Sequence, residues 1–185
     1  WRFKREMFDL DEVGIGTAVY RADTSGAPVW FVVFADHLDA ADRTDRVIAE
    51  KWDATFTLTT VQPDPSQLAR LKANIPLQEV GRCSSAEMVL SRANKSVRLF
   101  DHVVEALAAG RQPDRSKILD VGYLVRTTAV YGNGKFGLAD LDHVRALGVF
   151  GPPFQAEMLC VFMARQFSLD WVEHIAERCS PATFM

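Results

Sequence analysis

The sequence predicts an α+β fold, with an N-terminal antiparallel sheet of about three strands packed against a helical C-terminal portion. Three observations predict it. Residues 28–36 (PVWFVVFAD) hold an unbroken apolar run rich in Val and Phe, the pattern of a strand covered on both faces. Residues 52–61 alternate with a period of two, the pattern of a half-buried strand. Beyond Pro65 the apolar positions recur at steps of three and four, the period of a helix. The chain therefore divides into a strand-rich region, 1–62, and a helical region, 63–185, within one compact domain or a fragment of a longer protein.

The elements follow in order. Residues 13–22 (VGIGTAVYRA) read as a strand entered through two glycines, and Thr24-Ser25-Gly26-Ala27 as the turn into 28–36, so the two segments form an antiparallel hairpin. In 46–61, Trp52, Ala54, Phe56 and Leu58 share one parity and Thr55, Thr57 and Thr59 the other; 46–51 would also fit a helix. Pro63 and Pro65 end the sheet region, because proline cannot donate to a central ladder. Asp64 or Ser66 then starts a short helix over 66–73.

Ser84 with Glu87 forms a capping box in front of a stripe at Val89, Ala93, Val97, Phe100, Val104 and Leu107, which predicts a helix over 85–109 closed by Gly110. Residues 118–131 fit a helix, with a buried strand as the alternative, and Gly132-Asn133-Gly134 ends them. Asp140 caps a short helix to Leu147, and Pro152 or Pro153 opens a long one. From 158 to 164 that helix is apolar all round, which makes it the central buried helix. Ser168 or Asp170 would cap a further segment to Arg178.

Composition narrows the function. At 185 residues, 48% hydrophobic and 24% charged, the chain is an ordinary globular one. A net charge of −3 makes nucleic acid an unfavoured partner. The longest solid apolar runs, Val29–Ala35 and Met158–Ala164, fall far short of the roughly 20 residues that span a bilayer, so no membrane role is expected. Cys83, Cys160 and Cys179 are odd in number and lack metal or redox spacing, which fits a reducing cytoplasm, and Cys160 reads as a buried small hydrophobe. The four histidines are too scattered to suggest a metal site. The chain opens on Trp1 rather than Met, which points to a piece of a longer protein. No cofactor is indicated.

Charge is uneven, with 7 basic and 11 acidic side chains in 1–62 but 9 basic and 5 acidic in 82–135. The basic middle holds the leading candidate site. Arg126, Thr127 and Thr128 precede Gly132-Asn133-Gly134-Lys135, where glycine frees backbone N–H groups to approach an anion and Lys135 adds charge. Gly132, Gly134 and Gly137 match G-x-G-x-x-G by spacing alone, and the plainer reading is a helix stop and a tight turn. Lys95 and Arg98, with Arg92 and His102, line the polar side of 85–109 and would assist an anion; the alternative is a solvated face. Glu157 on the long helix is the acid or base of choice if the chain is an enzyme, although a carboxylate in a first turn also simply complements the helix dipole. Arg165 would snorkel or pair with a carboxylate, and His174, between Glu173 and Glu177, reads as a surface residue.

The stretches NKSVRLFDHVVEALAAGRQ at 94–112 and VGYLVRTTAVYGNGKFG at 121–137 resemble a family of uncharacterised bacterial proteins. The resemblance implies a bacterial cytoplasmic protein and brings no catalytic residues with it. The residues together lead to two expectations. The first is a domain that binds a small phosphate- or carboxylate-bearing anion through Arg126, Thr127, Thr128, Asn133, Gly134 and Lys135. The second is a protein interaction or homo-oligomerisation module without catalytic activity.

Overall fold

The computed structural model describes residues 1–37, 39, 41, 54–73, 86–93, 105–106, 108–114, 116, 141–152 and 154–178. Its elements are β1 (Arg2–Leu10), β2 (Gly16–Asp23), β3 (Pro28–Ala35), β4 (Ala54–Thr59), α1 (Pro65–Ala73), β5 (Glu87–Ala93), α2 (Leu141–Ala146) and α3 (Phe154–Arg178). The strands form one antiparallel sheet in the order β1-β2-β3-β4-β5. The fold is α+β, as expected, with five strands among the described residues rather than about three.

β3 lies at the centre because it has two apolar faces to hide. On one face Val29, Phe31 and Val33 join β2's Ala18, Tyr20 and Ala22 and β4's Phe56 and Leu58 beneath α3, which contributes Leu159, Cys160, Met163, Phe167, Trp171 and Ile175. On the other face Trp30, Val32 and Phe34 pack with Val19 against Leu71 and Leu68 of α1. Phe31 and Val32, neighbours in sequence, are both fully buried because each face of the sheet has its own helix. Val144, Val149 and Phe150, around α2, close the α3 side.

Two sequence readings need correction. No strand was expected over 2–10, yet β1 forms there and pairs with β2 from Arg2↔Asp23 to Leu10↔Gly16. A bulge between Arg5 and Met7 brings the Glu6 carboxylate to the indole of Trp30, whose Nε1 donates to Oε2 at 3.0 Å. The expected helix over 85–109 is a strand at Glu87–Ala93. β4 is buried along its whole length and takes β5 as its second neighbour, from Thr59↔Glu87 to Ala54↔Ala93. Glu87 opens this strand, and its buried carboxylate receives the Arg70 guanidinium from α1. Among the described residues of that stretch, 105, 106 and 108 are helical, and Gly110 follows them at φ +64°. Thus β5, from the region expected to be helical, completes the sheet begun within residues 1–62.

The short helices follow their caps. Asp64 Oδ1 accepts the Gln67 N–H at 2.8 Å while Gln67 Oε1 accepts the Asp64 N–H at 3.2 Å, a reciprocal cap for α1. The Gln67 N–H and then the Ser66 hydroxyl hold the Asp64 carboxyl below its ordinary pKa of 3.8. A lowered folded pKa adds stability above 3.8 that is lost as the pH falls through the folded value. Asp64→Ala is therefore expected to lower the melting temperature at neutral pH, and the gap from the wild type should close in acid. Thermal melts across pH check this, and a gap that is unchanged in acid would exclude the carboxylate as its source.

α2 forms as expected, and α3 begins at Phe154 after the prolines, with the Gln155 N–H bonded to the Pro152 carbonyl. Cys160 is buried, as read from the sequence. α3 is buried on one side only, for Phe162 and Leu169 are exposed, and it runs unbroken to Arg178. Ser168 caps no further segment, since its hydroxyl donates within the helix to the Ala164 carbonyl at 2.9 Å. Among the described residues no helix is long and apolar enough to cross a membrane.

Candidate functional site

A group of polar side chains lies in the seam between β1, β2 and α3. Tyr20, on β2, is fully buried, and its hydroxyl donates to Asp170 Oδ2 at 2.7 Å. Gln166, one helical turn earlier on α3, donates from Nε2 to Asp170 Oδ1 at 2.7 Å. Arg5 of β1 brings Nη1 to 3.6 Å from Oδ2 and sets its guanidinium 4.9 Å over the Phe8 ring. Phe8 in turn meets Phe167 and His174 of α3 at ring separations of 6.3 and 5.4 Å.

At the top of the seam the β1–β2 turn is fastened to the end of α3. Asp11 Oδ1 accepts the N–H groups of Val13 and Ile15, which folds the turn on itself. Trp171 Nε1 donates to the Gly14 carbonyl at 2.9 Å, and His174 Nε2 donates to the Asp11 carbonyl at 2.8 Å. His174 is therefore buried rather than on the surface, while Glu173 and Glu177 are exposed.

Burial, followed by the hydrogen bond to Asp170 and the charge of that carboxylate, pushes the Tyr20 hydroxyl well above its ordinary pKa of 10.0. Up to pH 10.0 both folded and unfolded chains hold the proton; above it only the unfolded chain releases it, so stability falls as the pH rises. Tyr20→Phe is expected to cost about 1–2 kcal/mol at neutral pH, since Asp170 loses a donor. It should also flatten the alkaline fall. Urea melts on both sides of pH 10.0 check this, and equal slopes for the two proteins would exclude Tyr20 as the cause.

Both oxygens of Asp170 are engaged and Tyr20 is sealed from water, so this cluster is a tether and not a pair of reacting groups. A second polar group lies on the opposite face of the sheet, where Arg70 meets Glu87 and Lys72 stands 3.6 Å from Asp36. There Thr55 Oγ1 is the buried side-chain polar atom that has no hydrogen-bond partner among the described residues. Among the described residues no group of three or more His, Cys, Asp or Glu is placed to hold a metal ion.

Across β1 from β2 the described residues place no further strand. Among the described residues β1 pairs only with β2. Beside this edge stand exposed apolar groups: Trp1 is 49% and Phe3 43% exposed, and Trp1 meets the exposed Phe162 of α3 edge-on at 6.0 Å.

The residues read as an anion site, Arg126, Thr127, Thr128, Asn133, Gly134 and Lys135 with Lys95 and Arg98, lie outside the described residues. Glu157 falls in the first turn of α3, and its side chain lies outside the described part; Arg165 is exposed. Sequence reading missed the tether and the β1 edge. Tyr20 and Asp170 stand 150 positions apart, and only the tertiary fold brings them together. A weak signal for β1 was present in Phe3, Phe8 and Leu10, whose alternation is broken by the bulge at Glu6 and diluted by charge. No protein-family model, no curated protein and no solved structure matches the chain.

Proposed function

We propose that this chain is a protein-interaction module whose contact element is the open edge of β1. The observation that carries this reading is the long edge strand Arg2–Leu10 with Trp1, Phe3 and Phe162 exposed beside it. An unpaired strand edge offers a row of backbone donors and acceptors, and a partner strand that extends the sheet satisfies them. Apolar side chains next to the row add the non-directional part of the binding energy. The tether serves this function by holding the β1–β2 hairpin rigid against α3, so that the edge is presented in one conformation.

The test is photo-cross-linking in the producing cell. A photo-reactive residue in place of Lys4, which is exposed on β1, is compared with one in place of the exposed Arg111, which belongs to no strand. A discrete cross-linked protein band from position 4 and none from position 111 is the expected result. No band from position 4, or the same bands from both positions, would remove the edge as the contact element.

A further inference from the structure

We infer that the occupant of the β1 edge is a second copy of the same chain, paired antiparallel through β1 about a two-fold axis. The inference rests on the interaction reading above and adds the identity of the partner. Its basis is the order of charges along the strand. Arg2, Lys4 and Arg5 fill the first half of β1, and Glu6 and Asp9 the second. Two parallel copies would set like charges side by side, whereas two antiparallel copies set the basic half of each against the acidic half of the other. The strand is thus complementary to its own reversed sequence. Its principal charges are also available, since Arg2, Lys4 and Asp9 are exposed and have no ion pair among the described residues. Asp11 is occupied by its own turn.

The bulge fixes which residues can meet. Arg5 stands opposite Tyr20 and Met7 opposite Val19, so Glu6 is the extra residue and the alternation of faces shifts there. Phe3 and Phe8 lie on the α3 face, across from Ala22 and Ala18; Arg2, Lys4, Met7 and Asp9 lie on the other. Across a two-fold axis normal to the sheet, opposed residues share a face. Pairing residues 2–9 of each copy about the bulge satisfies this, with Arg2 opposite Asp9, Phe3 opposite Phe8 and Lys4 opposite Met7. Lys4 is then also diagonal to Asp9. The exposed Phe3 lies on the α3 side in both copies and stands opposite Phe8 of the second copy, while Trp1 and Phe162 flank the two ends of the paired stretch. Bulges and charges usually protect an edge from pairing. Here the sorted charges repel the parallel arrangement and leave the antiparallel one attractive.

The test is a charge swap followed by sedimentation equilibrium on the 185-residue chain at low salt. The wild type should dimerise. Arg2→Glu and Asp9→Lys, each alone, should weaken the dimer about thirtyfold, because each reversal acts twice across the axis. The double variant Arg2→Glu/Asp9→Lys should recover most of the affinity, and a mixture of the two single variants should form a heterodimer. Unchanged circular dichroism and thermal melts in all variants show that these exposed changes leave the fold intact. A wild type that stays monomeric, single variants that dimerise as well as the wild type, or a double variant as weak as the singles would each overturn the inference. If the chain is monomeric while position 4 cross-links to a different protein, the second copy is ruled out and the interaction reading survives.

Discussion

Gly14→Ala is expected to destabilise the protein by about 2–5 kcal/mol, with two causes that can be separated. Gly14 has φ +80°, a conformation that costs an alanine about 1–2 kcal/mol. A Cβ there would also stand 2.3 Å from Trp171 Nε1 and 2.9 Å from Ile175 Cδ1, inside van der Waals contact. Relieving that overlap means moving the Trp171 ring, which donates to the Gly14 carbonyl itself, or lifting the β1–β2 turn off α3. Overpacking of this kind adds about 1–3 kcal/mol. Gly110→Ala is the control, because Gly110 has φ +64° but nothing within 4 Å of the added Cβ. Urea melts should show both variants with unchanged slope and lower midpoints, and Gly14→Ala should fall clearly further. Equal losses for the two would mean that the turn is not docked on α3.

That turn shows why part of the fold was legible in the sequence and part was not. The glycine entry at 14–16, the 24–27 turn and the apolar run of β3 are local signals, and each appears where the residues placed it. Val29–Ala35 reads correctly because being buried on both faces leaves a mark in every residue. β1 is the opposite case. An edge strand with one open side tolerates Arg2, Lys4, Arg5 and Glu6, and their charges hide its alternation. β5 failed for a different reason. Glu87–Ala93 carries helical spacing, but its neighbour in the sheet is β4, some thirty positions earlier, and strand pairing at that distance is decided by the register β4 offers. The buried Glu87 reads as a helix cap until Arg70 of α1 is seen beside it.

The candidate site divides in the same way. The anion-site residues were chosen for local chemistry, glycines beside a lysine, and lie outside the described residues. The tether is non-local throughout: Arg5, Tyr20 and Asp170 come from the two ends of the chain, and no spacing rule unites them. His174 misled because Glu173 and Glu177 are its neighbours in sequence, whereas a helix gives consecutive positions different faces. Fold class is set by the sum of many weak local preferences. A cluster of three side chains from distant elements has no such redundancy.

Asp170→Ala should cost about 3 kcal/mol, and the loss should couple strongly to Tyr20. The substitution leaves the Tyr20 hydroxyl fully buried with no acceptor, and such an orphan donor costs about 1–3 kcal/mol. It also removes the acceptor of Gln166 and the carboxylate beside Arg5. Once Tyr20 is already Phe, no hydroxyl remains to be orphaned. The double variant Tyr20→Phe/Asp170→Ala should therefore be more stable than the sum of the single losses allows, by about 1–2 kcal/mol. A double-mutant cycle from urea melts measures that difference directly, and strict additivity would show that the two groups do not act as one tether. The cycle also bears on the proposed function. Arg5 links Asp170 to β1, so Asp170→Ala should speed amide hydrogen exchange in residues 2–10 more than in β3, which is fixed by the core on both faces. A rigid edge presents its hydrogen-bonding groups at no ordering cost, and loosening it should weaken any partner that reads β1 while leaving the charge pattern along the strand untouched.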